Sequence, residues 1–537
     1  MEKSFKRGFN QIKIDTNKSN QNGKYSIDII SQNYLDIKIV ALDNNNVVSS
    51  DTEVVFDSWY NEISIRKTYK VNILNNECDI YVCFHAHSKG NIKIENSNFI
   101  NCKDDFKIFD LEMFRKKNTF PTWQDLVYEE INMDYSNGFD YPLIEATYDK
   151  EEIITMMETL TTNKLTMGEN VINFEKKFAE YVGSNYAVMV NSGSSANLLS
   201  MAVATNYLRN NKLQSGDKVI VPNICWSTSV WPIIQMNLLP VFVDVDPLTL
   251  NMDIEDLKRK LTPEIKGIVA VHILGNSTDM DELMKIVKDN NLFLMEDTCE
   301  SLGSKYENKT LGTFGDFGTY SFYYSHHITT IEGGMVVCNK EEDYQLLLCL
   351  RAHGWTRYLK NKQELENTYK DVDPRFLFVN VGYNLRPMET QAAMGLVQLN
   401  KIDCKNNNRI YNHKNITERI INDPRNKNIF ITPHATRKCV PAWFALPFII
   451  NEEYIHHYKS FLKHLTDNKI ENRPIITGNF ARQPIFKFLE LDINPEEYKG
   501  AEILHKRAFF IGLACEQMSE ERVDKLIDIF YSYDFTS

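Results

Sequence analysis

The stretch "SFYYSHHITTIEGGM", residues 321–335, sets a serine, two tyrosines and a basic pair ahead of two glycines. That order reads as a vitamin B6 site whose central residue has changed. The basic residue is ordinarily the lysine that bonds the cofactor aldehyde; here the position holds His326, followed by His327. Imidazole titrates near neutrality, so His326 can work as a general acid and base where no amine is available for a covalent bond. Ser321 offers a hydroxyl to a phosphate. The same residues also suit two satisfied polar histidines in a turn, with Gly333 and Gly334 permitting a tight reversal.

Three more motifs carry chemistry of the same kind. In "VNSGSSANLL", residues 190–199, a strand hands over to a helix, and helix-terminal amides with the Ser194 and Ser195 hydroxyls can hold a phosphate. An ordinary capped helix with Asn197 facing solvent fits the motif equally well. In "PNICWSTSVWP", residues 222–232, Trp226 follows a strand and can stack on a planar ring, or be a core tryptophan. In "LFLMEDTCES", residues 292–301, a buried strand ends in Glu296 and Asp297. A carboxylate there can hold a protonated ring nitrogen, or cap a helix. Glu300, one turn on, is expected to face the same cofactor. Arg351, His353 and Trp355 of "RAHGWTR" suit the substrate side or a solvated helix end.

These residues need a scaffold that brings strand ends together. From residue 186 onward apolar strands alternate with helical stretches, the pattern of a mostly parallel sheet covered on both faces. The expected division is a β-sandwich-like region over 1–118, a linker over 119–142, a large cofactor-binding α/β domain over 143–410 and a smaller α+β domain over 411–537. The first of these rests on short alternating runs such as "KYSIDII" and "YLDIKIVAL". Within it "CFHAHSKG" sets His85 and His87 on one strand face, with no third ligand nearby.

Bulk properties narrow the classes. The chain has 537 residues, a formal charge of −12, 43% hydrophobic and 25% charged residues. Those are globular values, and the acidic balance argues against a nucleic-acid partner. The start of the chain has no apolar signal core, and no run reaches the ~20 apolar residues of a membrane helix, so a cytoplasmic, membrane-free protein is expected. Its ten cysteines stand singly, with no CxC or CxxC pair to hold zinc or an iron–sulfur cluster.

From about 142 to 537 the chain resembles the DegT/DnrJ/EryC1/StrS family of sugar aminotransferases, which have the aspartate aminotransferase-like (PLP fold type I) architecture. "NSGSSANL", "VPNICWST", "EDTCES", "SFYYSHHITTIEGGM", "GYNLRPMETQAAMGLVQL" and "RPIITGNFARQP" carry the resemblance, in order. It implies that Ser194, Ser195 and Ser321 hold the phosphate of pyridoxal 5'-phosphate, that Trp226 stacks on the ring and that Asp297 pairs with its nitrogen. It also implies that Asn384 of "GYNLR" reaches the neighbouring subunit's cofactor, which makes a homodimer with shared sites.

Counting from "SF", the family's lysine falls on His326, and in this respect the chain resembles the family's 3-dehydratase branch. That resemblance implies a non-covalently held cofactor that cycles between PLP and pyridoxamine 5'-phosphate, with L-glutamate as amine source. The implied substrate is a nucleotide-linked 4-keto-6-deoxy sugar, expected to be a GDP-hexose. A related dehydrase adds an iron–sulfur cluster through a CxC that is missing here, so none is expected. Two other readings stand beside this one. The replaced lysine speaks against a PMP-dependent nucleotide-sugar aminotransferase, and the retained Ser, Trp, Asp and Asn set speaks against a non-catalytic sugar-binding homologue.

Overall fold

The computed structural model describes residues 138–536 in full and, before them, only the backbone of the strands between residues 2 and 95. Its contacts divide the chain into two units, Met1–Phe120 and Pro121–Ser537. In the first, the described strands pair antiparallel in two sheets. One runs in the order Glu2–Phe5, Gly90–Glu95, Lys24–Ser31, Ser64–Asn72, Thr52–Val55, with Tyr60–Asn61 also on Ser64–Asn72. The other runs Gly8–Ile14, Asp79–Ala86, Leu35–Asp43, Asn46–Ser49. The side chains of His85 and His87 lie outside the described residues.

The second unit is built on a seven-stranded sheet. Its strands are β1 (Tyr186–Val190), β2 (Lys218–Pro222), β3 (Leu239–Val243), β4 (Ile265–Val271), β5 (Phe293–Asp297), β6 (Phe317–Ser321) and β7 (Gly334–Cys338). The spatial order is β1-β7-β6-β5-β4-β2-β3, with β7 antiparallel to both neighbours and the remaining pairs parallel. Both faces are dry, which explains the near-continuous apolar strands. Side-chain alternation sorts β1 cleanly. Val188 and Val190 join a core with Leu199, Val203 and Leu347, whereas Ala187 and Met189 join Phe174 and Phe178 on the other face.

Eleven helices matter here: α1 (Lys150–Leu160), α2 (Glu169–Val182), α3 (Gly193–Ala204), α4 (Ser227–Gln235), α5 (Ile254–Lys260), α6 (Met280–Asp289), α7 (Glu341–Arg351), α8 (Glu389–Asn422), α9 (Tyr458–Asp467), α10 (Lys499–Arg507) and α11 (Glu520–Tyr531). Helix α8 has 34 residues, so it runs roughly 50 Å. Its first half packs Ala392 and Ile402 with α2, and its second half packs Ile416 and Ile420 into a separate core. That second core lies over a four-stranded antiparallel sheet, β8 (Phe430–Ile431), β9 (Ala445–Ile450), β10 (Asn472–Pro474) and β11 (Ala508–Gly512), in the order β8-β9-β11-β10. The boundary expected at residue 410 falls inside α8, one rod shared by both cores. No helix among the described residues is long and apolar enough to cross a membrane.

Candidate active site

Strand register draws the motifs to one edge of the sheet. Gly334 pairs with Val190 on one side and Ser321 on the other, so the ends of β1 and β6 flank the start of β7. One step along, Asp297 pairs with Thr319 and with Val271. All but β7 present their carboxyl ends here, the usual ligand-binding edge of such a sheet. Close approach is built in. A Cβ on Gly193 would lie 2.6 Å from Ser321 Cβ, and one on Gly334 would lie 2.4 Å from the Ser192 carbonyl oxygen. Glycine at both positions lets the first turn of α3 lie against Ser321.

The cap of α3 is Ser192: its hydroxyl accepts the Ser195 N–H at 3.1 Å and donates to the Ser195 hydroxyl at 2.9 Å. As first-turn groups, the N–H of Gly193 and that of Ser194 have no intrahelical acceptor. The Ser194 side chain is exposed and donates to Thr228 Oγ1 at 3.0 Å. Ser321 Oγ, two strands away, accepts the Tyr323 N–H at 3.3 Å. Three hydroxyls and a helix N-terminus therefore share one corner, a ready seat for a dianion.

The two acids that end β5 point to opposite faces and do different work. Glu296 is structural: fully buried, it accepts N–H groups from Gly312, Phe314 and Gly315 and pairs with His272. Asp297 turns instead toward α3 and α4. Its Oδ2 accepts from Asn197 Nδ2 at 2.8 Å and Ser229 Oγ at 2.7 Å, and its Oδ1 accepts the Cys299 N–H at 3.2 Å. Asn197 is itself oriented by Thr319, whose hydroxyl donates to Asn197 Oδ1 at 2.6 Å. Asp297 is 5% exposed, and among the described residues no Lys or Arg comes within ion-pair distance. A buried carboxylate with neutral donors and no cation is suited to receive one from a ligand.

Asn197 and Ser229 went unseen as site residues in the sequence. Asn197 fits a solvent face there, yet it is 1% exposed and inside the site. The available signal was its spacing: four residues after Gly193 puts it on the same helix face. Trp226, 57% exposed, sits at the N-cap of α4, one residue before the helix that carries Thr228 and Ser229. Glu300 accepts the Leu274 N–H at 2.9 Å, and burial pushes its carboxyl up to about 7, with Asp297's charge adding to the shift.

The two histidines separate in role. His327 is buried and its Nε2 donates to the Ala442 carbonyl at 2.6 Å, a tautomer set by that acceptor. His326 is half-buried. Its backbone N–H closes a turn onto Tyr323 O at 2.9 Å, Ser325 Oγ lies 3.3 Å from its Nδ1, and its ring stands edge-on to Phe444 at 5.3 Å. Nε2 has no hydrogen-bond partner among the described residues. Burial, then the charge of Arg409, lowers the imidazole to about 4, so at neutral pH His326 is an acceptor awaiting a proton.

Of the substrate-side expectations, the one for Arg351 needs correction. Arg351 is neither a solvated helix end nor open to a substrate: it is 1% exposed, and its Nη1 donates to Glu175 at 2.5 Å and to the Met189 carbonyl at 2.7 Å. This ion pair ties α7 to α2 and β1. Arg351→Met is expected to leave Glu175 buried and unpaired, lowering stability by ~3–5 kcal/mol. Thermal unfolding will show a lower Tm while KM for the substrate stays put; a raised KM with an unchanged Tm would return Arg351 to the substrate side. His353 is half-buried in the left-handed region, φ 64°, and meets the Trp355 ring at 5.3 Å. Trp355 stacks on Phe378 at 5.5 Å, and the Arg357 guanidinium also lies over its ring at 3.9 Å. Asn384 is exposed and accepts from Arg386 Nε at 3.0 Å.

These residues fit a pyridoxal phosphate-type group on structural grounds. The corner at α3 suits its phosphate, Asp297 suits a protonated ring nitrogen, and Trp226 suits a flat ring. The loop from 321 to 335 has no lysine, so nothing in it can bond the aldehyde.

Comparison with known proteins agrees. Residues 146–531 match the DegT/DnrJ/EryC1/StrS aminotransferase family. The GDP-4-keto-6-deoxy-D-mannose 3-dehydratase of Yersinia pseudotuberculosis is 40% identical over 71% of this chain and 96% of its own length. The dTDP-4-dehydro-2,6-dideoxy-D-glucose 3-dehydratase of Saccharopolyspora spinosa is 31% identical over 71% of this chain and 84% of its own. A solved structure of the Escherichia coli GDP-4-keto-6-deoxy-D-mannose-3-dehydratase with bound hydrated PLP is 38% identical, with a TM-score of 0.68 over 73% of this chain and 99% of that one.

Proposed function

The chain belongs to the DegT/DnrJ/EryC1/StrS aminotransferase family, and on that premise we propose that it is a PLP/PMP-dependent dehydratase removing the C3 hydroxyl of a nucleotide-linked 4-keto-6-deoxy sugar. One observation carries the reading: the position of the family's lysine holds His326, whose Nε2 has no hydrogen-bond partner among the described residues. Bound in its amine form, the cofactor supplies an electron sink through which a hydroxyl adjacent to a ketone carbon can be lost.

The chain's own residues have distinct tasks. Ser194, Ser195 and Ser321 fix the phosphate. Trp226 covers the ring, and Asp297 holds a proton on its nitrogen. His326 accepts a proton at Nε2 and returns it to the departing C3 hydroxyl, which leaves as water. The balance closes with L-glutamate: the keto sugar loses one oxygen atom while glutamate becomes 2-oxoglutarate and ammonia is released. We infer that the working unit is a homodimer in which exposed Asn384 serves the neighbouring site. The same inference extends to a β-sandwich-like domain over 1–118 and a linker over 119–142, preceding a cofactor domain over 143–410 and a small domain over 411–537.

A GDP-linked sugar is the favoured substrate, supported by the Yersinia and Escherichia relatives. The test is a product mass spectrum after incubation with PLP, L-glutamate and GDP-4-keto-6-deoxymannose. The expected product lacks one oxygen atom. A product with its ketone exchanged for an amine would make the protein an aminotransferase. Unchanged GDP sugar with deoxygenation of the dTDP-linked substrate would overturn the nucleotide assignment alone.

A further inference from the structure

Behind His326 lies a layer that the proposed reaction does not use. The segment Ala442-Trp443-Phe444 is gripped from four sides. The Ala442 N–H donates to Ser304 Oγ at 2.9 Å, and its carbonyl accepts from His327. The Phe444 N–H donates to the Leu274 carbonyl at 3.0 Å. The Trp443 ring lies flat on His413, centroids 4.0 Å apart and 2° from parallel. Arg409 Nη1 donates to the Phe444 carbonyl at 3.1 Å and to the Leu513 carbonyl at 3.2 Å. Arg409 and His413 stand one turn apart on α8 and reach the segment from the same face. All this holds one side chain toward the site, the Phe444 ring, which leans on both His326 and His327.

Arg409 is the costly member. It is 5% exposed, its Nε has no partner, and among the described residues no carboxylate lies within ion-pair distance. A buried guanidinium held only by carbonyl dipoles is expensive, and an apolar residue of that length would pack more cheaply. Its charge bears on His326 and His327 together. The other polar groups around His326 on its own loop are Tyr323, Ser325 and His327, the last held neutral by its own burial. The Phe444 segment adds no charge, and on the far side Glu145 and Cys515 bear on Arg409 only weakly against its burial, without an ion-pair contact.

We propose that Arg409 is a positioning residue for His326: it fixes the ring against which the imidazole leans and keeps the imidazole in its neutral, proton-accepting form. The proposal rests on reading His326 as the proton carrier. A proton taken up by His326 then sits beside a second positive charge, so it is readily given to the departing hydroxyl.

The test is a pH titration of the histidine 13C–1H signals in the full-length protein, with the His326 signal assigned from its loss in His326→Asn. It needs neither substrate nor turnover. In the natural chain His326 should remain neutral at pH 5.5. In Arg409→Met its midpoint should rise by ~1 pH unit or more, and in Arg409→Lys it should stay low. The acidic limb of the kcat profile should move with it. Phe444→Leu, which removes the ring and keeps the charge, should lower kcat without moving that limb. An unmoved His326 midpoint in folded Arg409→Met would overturn the proposal. A midpoint that rises while no nucleotide sugar is dehydrated would leave the proposal standing and refute the proposed reaction instead. If Arg409→Met does not fold, Arg409→Lys and Phe444→Leu still decide: a raised midpoint in the first, or a moved acidic limb in the second, sinks it.

Discussion

His326→Asn is expected to lower turnover by about a hundred- to ten-thousand-fold while leaving cofactor binding intact, the usual range for removing a general acid–base group. Asparagine is smaller but keeps a polar, uncharged group at the position, and it cannot carry a proton at neutral pH. None of the phosphate, ring or nitrogen contacts assigned to Ser194, Ser195, Ser321, Trp226 and Asp297 passes through residue 326, so bound-cofactor absorbance should persist. His326→Lys should behave differently. Lysine restores the amine the loop lacks, so borohydride should fix cofactor covalently to the protein, and dehydration should fall. Steady-state turnover and the absorbance spectrum, read together, check both variants. An asparagine variant that keeps more than about a tenth of normal turnover would remove His326 as the proton carrier.

How much of this was legible in the sequence depends on how far each contact reaches. His326, Ser321 and Asp297 stand in motifs at strand ends, where local pattern and ligand edge coincide, and the alternating strands and helices announce the parallel sheet. Contacts made across the fold left no such trace. Asn197 reaches Asp297 over a separation of 100 residues, and Ser229 reaches it over 68. Arg351 misleads for the same reason. A basic residue in the last helical turn normally faces water and complements the helix dipole, but here Glu175, 176 residues away, draws it inward. Arg409 sits mid-helix in "KNNNRIYNHK", a polar run that reads as an exposed face. Only the fold shows that α8 turns Arg409 and His413 toward the site.

The second large effect belongs to Asp297. Asp297→Asn is expected to lower turnover by about a hundred- to a thousand-fold, comparable to removing one preorganised polar group from an active site. Charge matters here more than shape. All three groups that bond Asp297 are donors: Asn197 Nδ2, Ser229 Oγ and the Cys299 N–H. An amide can present its oxygen to Asn197 and Ser229, but its NH2 then faces the Cys299 N–H, and one bond is lost at ~1–3 kcal/mol. The fold should survive that, with a modest fall in Tm. The negative charge cannot be replaced. Without it the cofactor's ring nitrogen loses its proton and the ring its capacity to draw electrons, while the serine corner still holds the phosphate. The signature is therefore a folded, cofactor-binding and nearly inactive protein. Asp297→Glu separates charge from reach: it keeps the anion but adds a methylene that pushes the carboxylate off Asn197 and Ser229, so it too should be impaired. Turnover of Asp297→Asn within about threefold of the natural chain would mean that the buried carboxylate serves only to orient Asn197 and Ser229, and the seat assigned to the ring nitrogen would be wrong.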